Sequence, residues 1–550
     1  MKDSFNVHSV WGNYLSVVNG LKAVASESQA DLLSVLSEYE GSGNVSDVKS
    51  FWIINAIAMK ATPSVIEEVA GRADVDYVKL DEMRTIPPVT IGEREGIQAI
   101  EWNINRVRAP EVWAMGYKGT GVVVGSIDTG VDVTHPALSS RYRGGSNSWY
   151  DAVNGQANPY DDNGHGTHTI GTMVGDDGGT NQIGVAPGAK FISAKACSGG
   201  GSCADSWLLS AGQWIMDPDG NPATPDYPVV VNNSWGGGEC DPWYRTMVTN
   251  WRAGGLFPSF SAGNSGPDVG TIGSPGDYPE SFAVGATDSS DTIAWFSSRG
   301  PSCYGEIKPE VTAPGVNIRS SVPGGSYQSW QGTSMAAPHV SGCVALLKQI
   351  DPNLTVDSLE NILESTAVDL GPAGKDNDYG SGRIDCYEAA LSVIGPPPGG
   401  PDLIVTALSA PSSATAGGSI TVSNSVKNQG DQTAQTSKVG FYLSSNNNPL
   451  IVPSDVFIGS RDVPKSTTPP CPWRWCNLGS SLATGLAPGE TSADNTKLII
   501  PSNTSQGTYY LKARADYQDV VSETDETNNI MVSGAMTISP KPPCSWWRCR

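Results

Sequence analysis

Gly332-Thr333-Ser334-Met335-Ala336-Ala337-Pro338-His339 is the stretch that decides the fold of this 550-residue chain. It places one serine at the opening of an apolar helical pattern that runs on through Val340, Val344, Leu346 and Leu347. Pro338 falls in the first turns, where a missing N–H costs little. A serine at a helix N-terminus offers its own backbone N–H to a developing oxyanion. A serine hydroxyl is inert at neutral pH unless a base takes its proton, so a nucleophile needs partners. Two upstream motifs supply them. Ser126-Ile127-Asp128-Thr129-Gly130 ends an apolar run, and Asn163-Gly164-His165-Gly166-Thr167-His168 carries a glycine-flanked imidazole. In this reading Ser334 is a candidate nucleophile, with an imidazole of the second motif as candidate base and Asp128 as its candidate orienting carboxylate.

The surrounding block, residues 97–394, alternates short β-branched runs with helical patterns. That alternation marks βαβ units, an α/β fold with a parallel sheet and flanking helices. Val122-Val123-Val124-Gly125-Ser126-Ile127 is apolar on both faces, as a central parallel strand is. Val229-Val230-Val231 and Phe257-Pro258-Ser259-Phe260 read the same way, the proline suiting a strand start better than a middle. Asp128, Ser234 and Asn264 directly follow these three runs. Ligand groups gather at the carboxyl ends of parallel strands, so the three are expected at one crevice.

Further motifs fall in order around the first set: Asn233-Ser234-Trp235-Gly236, Ser261-Ala262-Gly263-Asn264, Phe296-Ser297-Ser298-Arg299-Gly300 and Lys308-Pro309-Glu310-Val311-Thr312-Ala313-Pro314-Gly315. Over roughly residues 101–394 the ensemble resembles the subtilisin-like (subtilase) family of serine proteases, whose triad runs aspartate, histidine, serine along the chain. The resemblance implies a serine endopeptidase that works through an acyl-enzyme on Asp128, His165 and Ser334, with Asn264 as side-chain oxyanion donor. It implies that Ser234, Trp235 and Gly236 form one edge of the substrate cleft and Ala262 and Gly263 the opposite wall, so that substrate binds by strand addition. Gly273 falls near the floor of the primary pocket with no acidic residue in view, which implies a broad preference for large apolar residues before the scissile bond. Trp235 either narrows a neighbouring pocket or packs. His135, His168 and His339 read as structural. The chemistry needs no cofactor. The family's common calcium site is expected to be absent, because Ala137 stands at the matching aspartate position and the later loop is reduced to residues 176–182. Asp161 and Asp162 are candidates for a different structural calcium, with a metal-free polar loop as the alternative; no metal ligand is assigned.

Residues 1–96 read as a separate α+β unit. Leu32, Leu33 and Leu36 give a helix over 29–40, residues 51–59 a strand, Thr62-Pro63 the start of a second helix with Val65, Val69 and Ala70 on one side, and residues 75–80 a closing strand. The unit resembles the inhibitory prodomain of subtilases, which implies an intramolecular inhibitor whose C-terminal tail lies in the cleft. The mature start is expected near 96–103, since Asn103-Ile104-Asn105-Arg106-Val107 resembles the family's mature N-terminus.

Gly395-Pro396-Pro397-Pro398-Gly399-Gly400-Pro401 is a stiff linker. Beyond it, residues 402–539 carry short alternating runs such as Ile420-Thr421-Val422 and Val439-Gly440-Phe441-Tyr442-Leu443, the pattern of an antiparallel β-sandwich. The stretch from Val520 to Asn529 is similar to the closing motif of the immunoglobulin-like CARDB modules. A tail, 540–550, ends in Cys544-Ser545-Trp546-Trp547-Arg548-Cys549, which repeats the pattern of Cys471-Pro472-Trp473-Arg474-Trp475-Cys476. Each pair of cysteines could close a small ring. Exposed Trp and Arg suit a surface or polymer ligand; loop staples with incidental aromatics are the alternative.

Composition bounds the rest. Net charge is −22, which argues against nucleic acid or an anionic membrane as partner, and no apolar run approaches the ~20 residues of a membrane span. Ten cysteines suggest an oxidising compartment, with six in the protease-like region allowing 15 pairings. The first residues carry no apolar signal region, so a leader already removed and an extracellular location are expected. Protein and peptide substrates follow from the triad. The competing readings are a surface-adhesion protein using the protease fold as scaffold, and a selective processing protease.

Overall fold

The computed structural model of the chain describes residues 14–86, 90–91, 99–394, 400–448, 450–452, 454–463, 485–521, 523 and 525–540. The chain forms two compact units that divide between residues 393 and 394.

The heart of the first unit is a seven-stranded sheet in the order Val311–Pro314, Phe282–Thr287, Phe257–Ser261, Val230–Asn233, Val123–Asp128, Lys190–Lys195, Trp149–Asp151. Every neighbouring pair is parallel. The central strands are apolar on both faces because both are covered. Val124 joins a core with Met173 and Val340, whereas Ile127 joins another with Leu208, Ile215 and Trp251. Pro258 sits inside a central strand at no cost to the ladder: it pairs with Val231, and the next strand begins only opposite Ser259. From Val123–Asp128 the chain first builds the sheet toward Trp149–Asp151, then crosses back to Val230–Asn233 and builds the other way. The carboxyl ends of those two adjacent strands therefore flank the topological switch point, where open α/β sheets place their ligands.

The N-terminal residues contain three helices, Tyr14–Ser28, Ala30–Gly41 and Pro63–Ala70, and the hairpin Val45–Phe51/Ala56–Ala61. Two sequence expectations are corrected here. Residues 51–59 are not one strand: Asn55 adopts φ 53° and turns the chain, a conformation asparagine tolerates. Residues 75–80 form no strand; they run irregularly, with Tyr77 and Leu80 largely exposed. The strand forms later, at Met83–Thr85, and it pairs antiparallel with Ser202–Ala204 of the sheet-bearing domain. The hairpin turn sits on that domain too, where Gln213 Oε1 accepts the N–H groups of Trp52 (2.6 Å) and Ile53 (3.3 Å). Asp81 caps the helix Asp205–Met216, accepting from the N–H (2.8 Å) and hydroxyl (2.7 Å) of Ser206, which satisfies an otherwise orphaned helix N-terminus.

In the second unit, Leu403–Ser409, Ser419–Asn428 and Thr491–Ile499 form one antiparallel sheet, and Ser413–Thr415, Met536–Ser539, Gly507–Arg514, Ser437–Ser444 and Val456–Val463 form another, with Ile530–Val532 against Gly507–Arg514. One pair, Ser413–Thr415 with Met536–Ser539, is parallel. Along Ser419–Asn428 burial alternates, and Ile420, Val422 and Val426 meet Phe441 and Leu511 in one core, the packing of a β-sandwich. The ends of the module are tied: Asn528 Nδ2 donates to Asp402 (3.1 Å), and Glu523 accepts the Leu403 N–H. The linker 395–399, the four cysteines at 471, 476, 544 and 549 and the tail beyond 540 lie outside the described residues.

Candidate active site

Asp128 is the last residue of its strand and His165 the first of the helix His165–Val174. Glycine brings them together. A Cβ on Gly166 would lie 2.2 Å from the Gly130 carbonyl oxygen, so only glycine lets the helix start press onto the loop after the strand. His165 Nδ1 then lies 2.8 Å and 3.0 Å from the two Asp128 carboxylate oxygens, with both residues buried. Thr129 N–H donates to Asp128 Oδ1 at 2.7 Å and fixes the carboxylate further. Burial disfavours the imidazolium, but the charge and hydrogen bond of Asp128 outweigh it, and the His165 pKa rises above its ordinary value.

Ser334 opens the buried helix Thr333–Ile350, 5% exposed. Its hydroxyl donates to the Ser234 carbonyl (3.2 Å), and the Ser234 hydroxyl donates back to the Ser334 carbonyl (2.9 Å). This reciprocal pair docks the helix start on the end of the Val230–Asn233 strand. A second buried chain supports it: Asn232 Nδ2 donates to Ser234 Oγ (3.0 Å), and Ser341 Oγ to Asn232 Oδ1 (3.0 Å). Asn264 is oriented by Thr333, whose N–H and hydroxyl both donate to Asn264 Oδ1 at 2.9 Å. The amide NH2 is thereby turned away from those donors, and it meets no acceptor among the described residues.

Ser334, Asn264, Ser234, Gly236, Gly263 and Gly273 line one cavity of about 410 Å³. Trp235 also borders it, but its ring is 1% exposed and packs edge-to-face on Tyr244 (5.3 Å) and Phe260 (5.7 Å), so the ring belongs to the core. Ala262 is buried behind the wall and its carbonyl accepts the Gly273 N–H at 3.2 Å. Two lining residues escaped the sequence reading. Glu239, which follows a run of glycines, lines the same cavity. Thr85, from the N-terminal residues, lines the same cavity as Ser334. Next to it Ile86 is buried and its N–H donates to the Gly201 carbonyl at 2.8 Å.

Among the described residues, the other three histidines are held as neutral core groups. His168 stacks on Trp330 (4.5 Å between centroids) and faces the carbonyls of Ile318 and Gln328; burial pushes its pKa down to about 3. Burial likewise takes His339, between Asn103 Nδ2 and the Met335 carbonyl, down to about 4. His135 contacts the Ser326 carbonyl and the Ala137 N–H, and burial lowers it too.

Asp161 and Asp162 do not fit a calcium ion. Asp161 is surrounded by donors, from Thr129 Oγ1, Asn163 N, Gly164 N and the Thr167 N–H and hydroxyl. Asp162 accepts from the fully buried Lys195 ammonium at 2.6 Å, and the same ammonium holds the carbonyls of Thr129 and Cys197. A cation is already in place, and it belongs to the protein. Of the six cysteines here, Cys197 bonds Cys203 and staples the loop that receives Ile86; Cys240 bonds Cys303, while Cys343 and Cys386 remain buried thiols.

Residues 119–382 match the subtilase family and residues 400–533 the CARDB family. The chain is 49% identical to Bacillopeptidase F of Bacillus subtilis (strain 168) over 413 residues, 69% of this chain and 28% of that protein, so it spans little more than a quarter of that relative's length. It is 33% identical to Subtilisin E of the same organism over 373 residues, 67% of this chain and 88% of the relative, and 35% identical to Subtilisin of Bacillus pumilus over 296 residues, 53% of this chain and 99% of the relative. The chain therefore belongs to the subtilase family, the subtilisin-like serine endopeptidases, and carries a CARDB module after its peptidase domain.

Proposed function

We propose that this chain is a secreted serine endopeptidase made as a zymogen, which hydrolyses proteins and peptides through Asp128, His165 and Ser334. The observation that carries the reading is the two-oxygen hold of Asp128 on His165 Nδ1. It leaves Nε2 as the basic nitrogen of the neutral ring, the tautomer that a general base needs. In the reaction the Ser334 hydroxyl exchanges the Ser234 carbonyl for His165 Nε2, gives up its proton and attacks the scissile carbonyl carbon. The tetrahedral oxyanion takes hydrogen bonds from the Ser334 N–H and the Asn264 amide, both preset before substrate arrives. Collapse passes the proton from His165 to the leaving amine, and water repeats the sequence to release the acyl group.

Walls of Gly236, Gly263 and Gly273 leave room for a large apolar side chain before the scissile bond, with Glu239 at the exposed rim. The N-terminal residues act as intramolecular inhibitor: Met83–Thr85 adds as a strand and carries Thr85 into the cavity. Ser334→Ala tests the proposal. The variant keeps its N-terminal unit while the wild type removes it, as read on a denaturing gel; autonomous maturation of the variant would refute the assignment.

A further inference from the structure

The loop after the helix Asp205–Met216 reads Asp217-Pro218-Asp219-Gly220-Asn221-Pro222-Ala223-Thr224-Pro225-Asp226. Its three aspartates each offer a carboxylate oxygen within 4.8 Å of the others. Calcium–oxygen distances of about 2.3–2.6 Å place ligand oxygens up to about 5 Å apart, so one sphere accommodates all three. Two further observations point to a cation. First, one is seated there already: the ammonium of Lys22, from the N-terminal helix Tyr14–Ser28, pairs with Asp217 and donates to the Gly220 carbonyl at 2.9 Å. Second, protein donors leave three of the carboxylate oxygens unmet, although Asp219 accepts the Asn221 N–H at 2.7 Å. Asp217 is 5% exposed and its Oδ1 has no partner, and both Asp226 oxygens are buried without one. Arg143, the nearby guanidinium, takes the Asp226 main-chain carbonyl and leaves the carboxylate open.

Tyr14 stacks on Tyr227 (3.7 Å) and its hydroxyl donates to the Met216 carbonyl beside Asp217, and a cavity of about 520 Å³ is lined by Lys22 and Trp52 of the N-terminal unit and by Trp214, Asp217 and Asp219 of the peptidase. When the N-terminal unit departs, Lys22 leaves with it, and Asp217 keeps no side-chain partner on the peptidase.

We propose that Asp217, Asp219, Asp226 and the Gly220 carbonyl form a calcium site in the mature enzyme, and that Lys22 occupies it in the zymogen, so that calcium and the N-terminal unit exclude each other. An all-oxygen set with three carboxylates and no nitrogen or sulfur suits calcium over zinc or copper. By reciprocity, calcium weakens the hold of the N-terminal unit by the same factor that the unit weakens calcium. The inference rests on the zymogen reading for its biological order, not for the site itself.

The test is calorimetric titration with calcium alone on chelator-stripped proteins. The uncleaved Ser334→Ala chain should bind one ion fewer than the mature, covalently inhibited wild type. Adding Lys22→Met to the uncleaved chain should restore that ion, with affinity gained by about 5–150-fold, the usual size of such couplings; Lys22→Arg should not. In the mature enzyme Asp219→Asn and Asp226→Asn should each lose it. Equal binding by the Lys22 and Lys22→Met chains, or by mature enzyme with and without the aspartate changes, would overturn the proposal. A wild type that never matures would sink the zymogen reading instead, and the Lys22→Met comparison would still decide the site.

Discussion

Arg84 is the side chain through which the N-terminal tail is most firmly held, and its loss has a calculable effect. Its guanidinium spans two peptidase carboxylates, Asp205 (2.8 and 3.2 Å) and Asp241 (2.8 Å), and lies 4.9 Å over the Trp243 ring. Asp205 is buried, so truncating Arg84 to alanine strands most of a desolvated charge. Removing one partner of such a pair costs about 2–5 kcal/mol. Two features place Arg84→Ala at the lower end: Lys79 stays on Asp205 at 2.7 Å, and water reaches Asp241. An expected loss of about 2–3 kcal/mol weakens inhibition by about 30–150-fold. The assay is the inhibition constant of the N-terminal unit added to matured enzyme, wild type against Arg84→Ala. Tyr77→Ala is the control, because that ring is 69% exposed and an exposed change should stay within about twofold. If Arg84→Ala also stays within twofold, the tail is not held by this ion pair.

Thr333→Val removes one of two donors to Asn264 Oδ1 and the acceptor of the Gly263 N–H (3.2 Å). At roughly 1–1.5 kcal/mol of lost positioning, kcat should fall about tenfold with KM nearly unchanged; a KM effect alone would contradict a role in oxyanion stabilisation. Replacing Cys197 and Cys203 together by serine frees the loop that receives Ile86, releasing about 2 kcal/mol of loop constraint. KM for peptides should rise several-fold while kcat holds. In the C-terminal module, burial pushes Glu523 up to about 8, with Glu526, Asp516 and Asp402 adding repulsion against the Leu403 N–H. The folded state keeps a proton that the unfolded chain sheds near its ordinary value, so this contribution is complete at acid pH and vanishes as pH rises through about 8. Glu523→Gln should flatten the decline of the module's calorimetric transition between about pH 5 and pH 8; an unchanged slope would show that the group is not the cause.

What the sequence made legible was the parallel sheet and the polar residues at the ends of its strands. Ser234 and Asn264, which line one cavity, could be placed together because strands buried on both faces are apolar throughout, and their ends are marked by the first polar residues. The Ser334 helix announced itself through its apolar run. Contacts made by single polar atoms across long separations stayed hidden. Nothing local marks Lys195 as a fully buried ammonium holding Asp162, or Arg84 as the partner of Asp205 and Asp241. Residues 75–80 resembled a strand because Val75, Tyr77 and Leu80 are apolar, yet Tyr77 and Leu80 face solvent and the segment is tied down by Lys79 and Asp81. The hairpin at Asn55 was missed for the opposite reason: the flanking apolar residues continue through a turn that one asparagine makes. Glu239 followed three glycines and gave no sign that it borders the cavity. The six cysteines of the peptidase region left 15 pairings open, whereas the fold shows Cys197 meeting Cys203 and Cys240 meeting Cys303 and leaves Cys343 and Cys386 as thiols.

The central claim is that His165 and Asp128 make one particular hydroxyl a nucleophile. Treating the matured enzyme with a fluorophosphonate and locating the adduct by peptide mass spectrometry tests it most directly. The account predicts a single covalent adduct on Ser334, lost in His165→Ala. Absence of labelling, or an adduct on another serine, would contradict it.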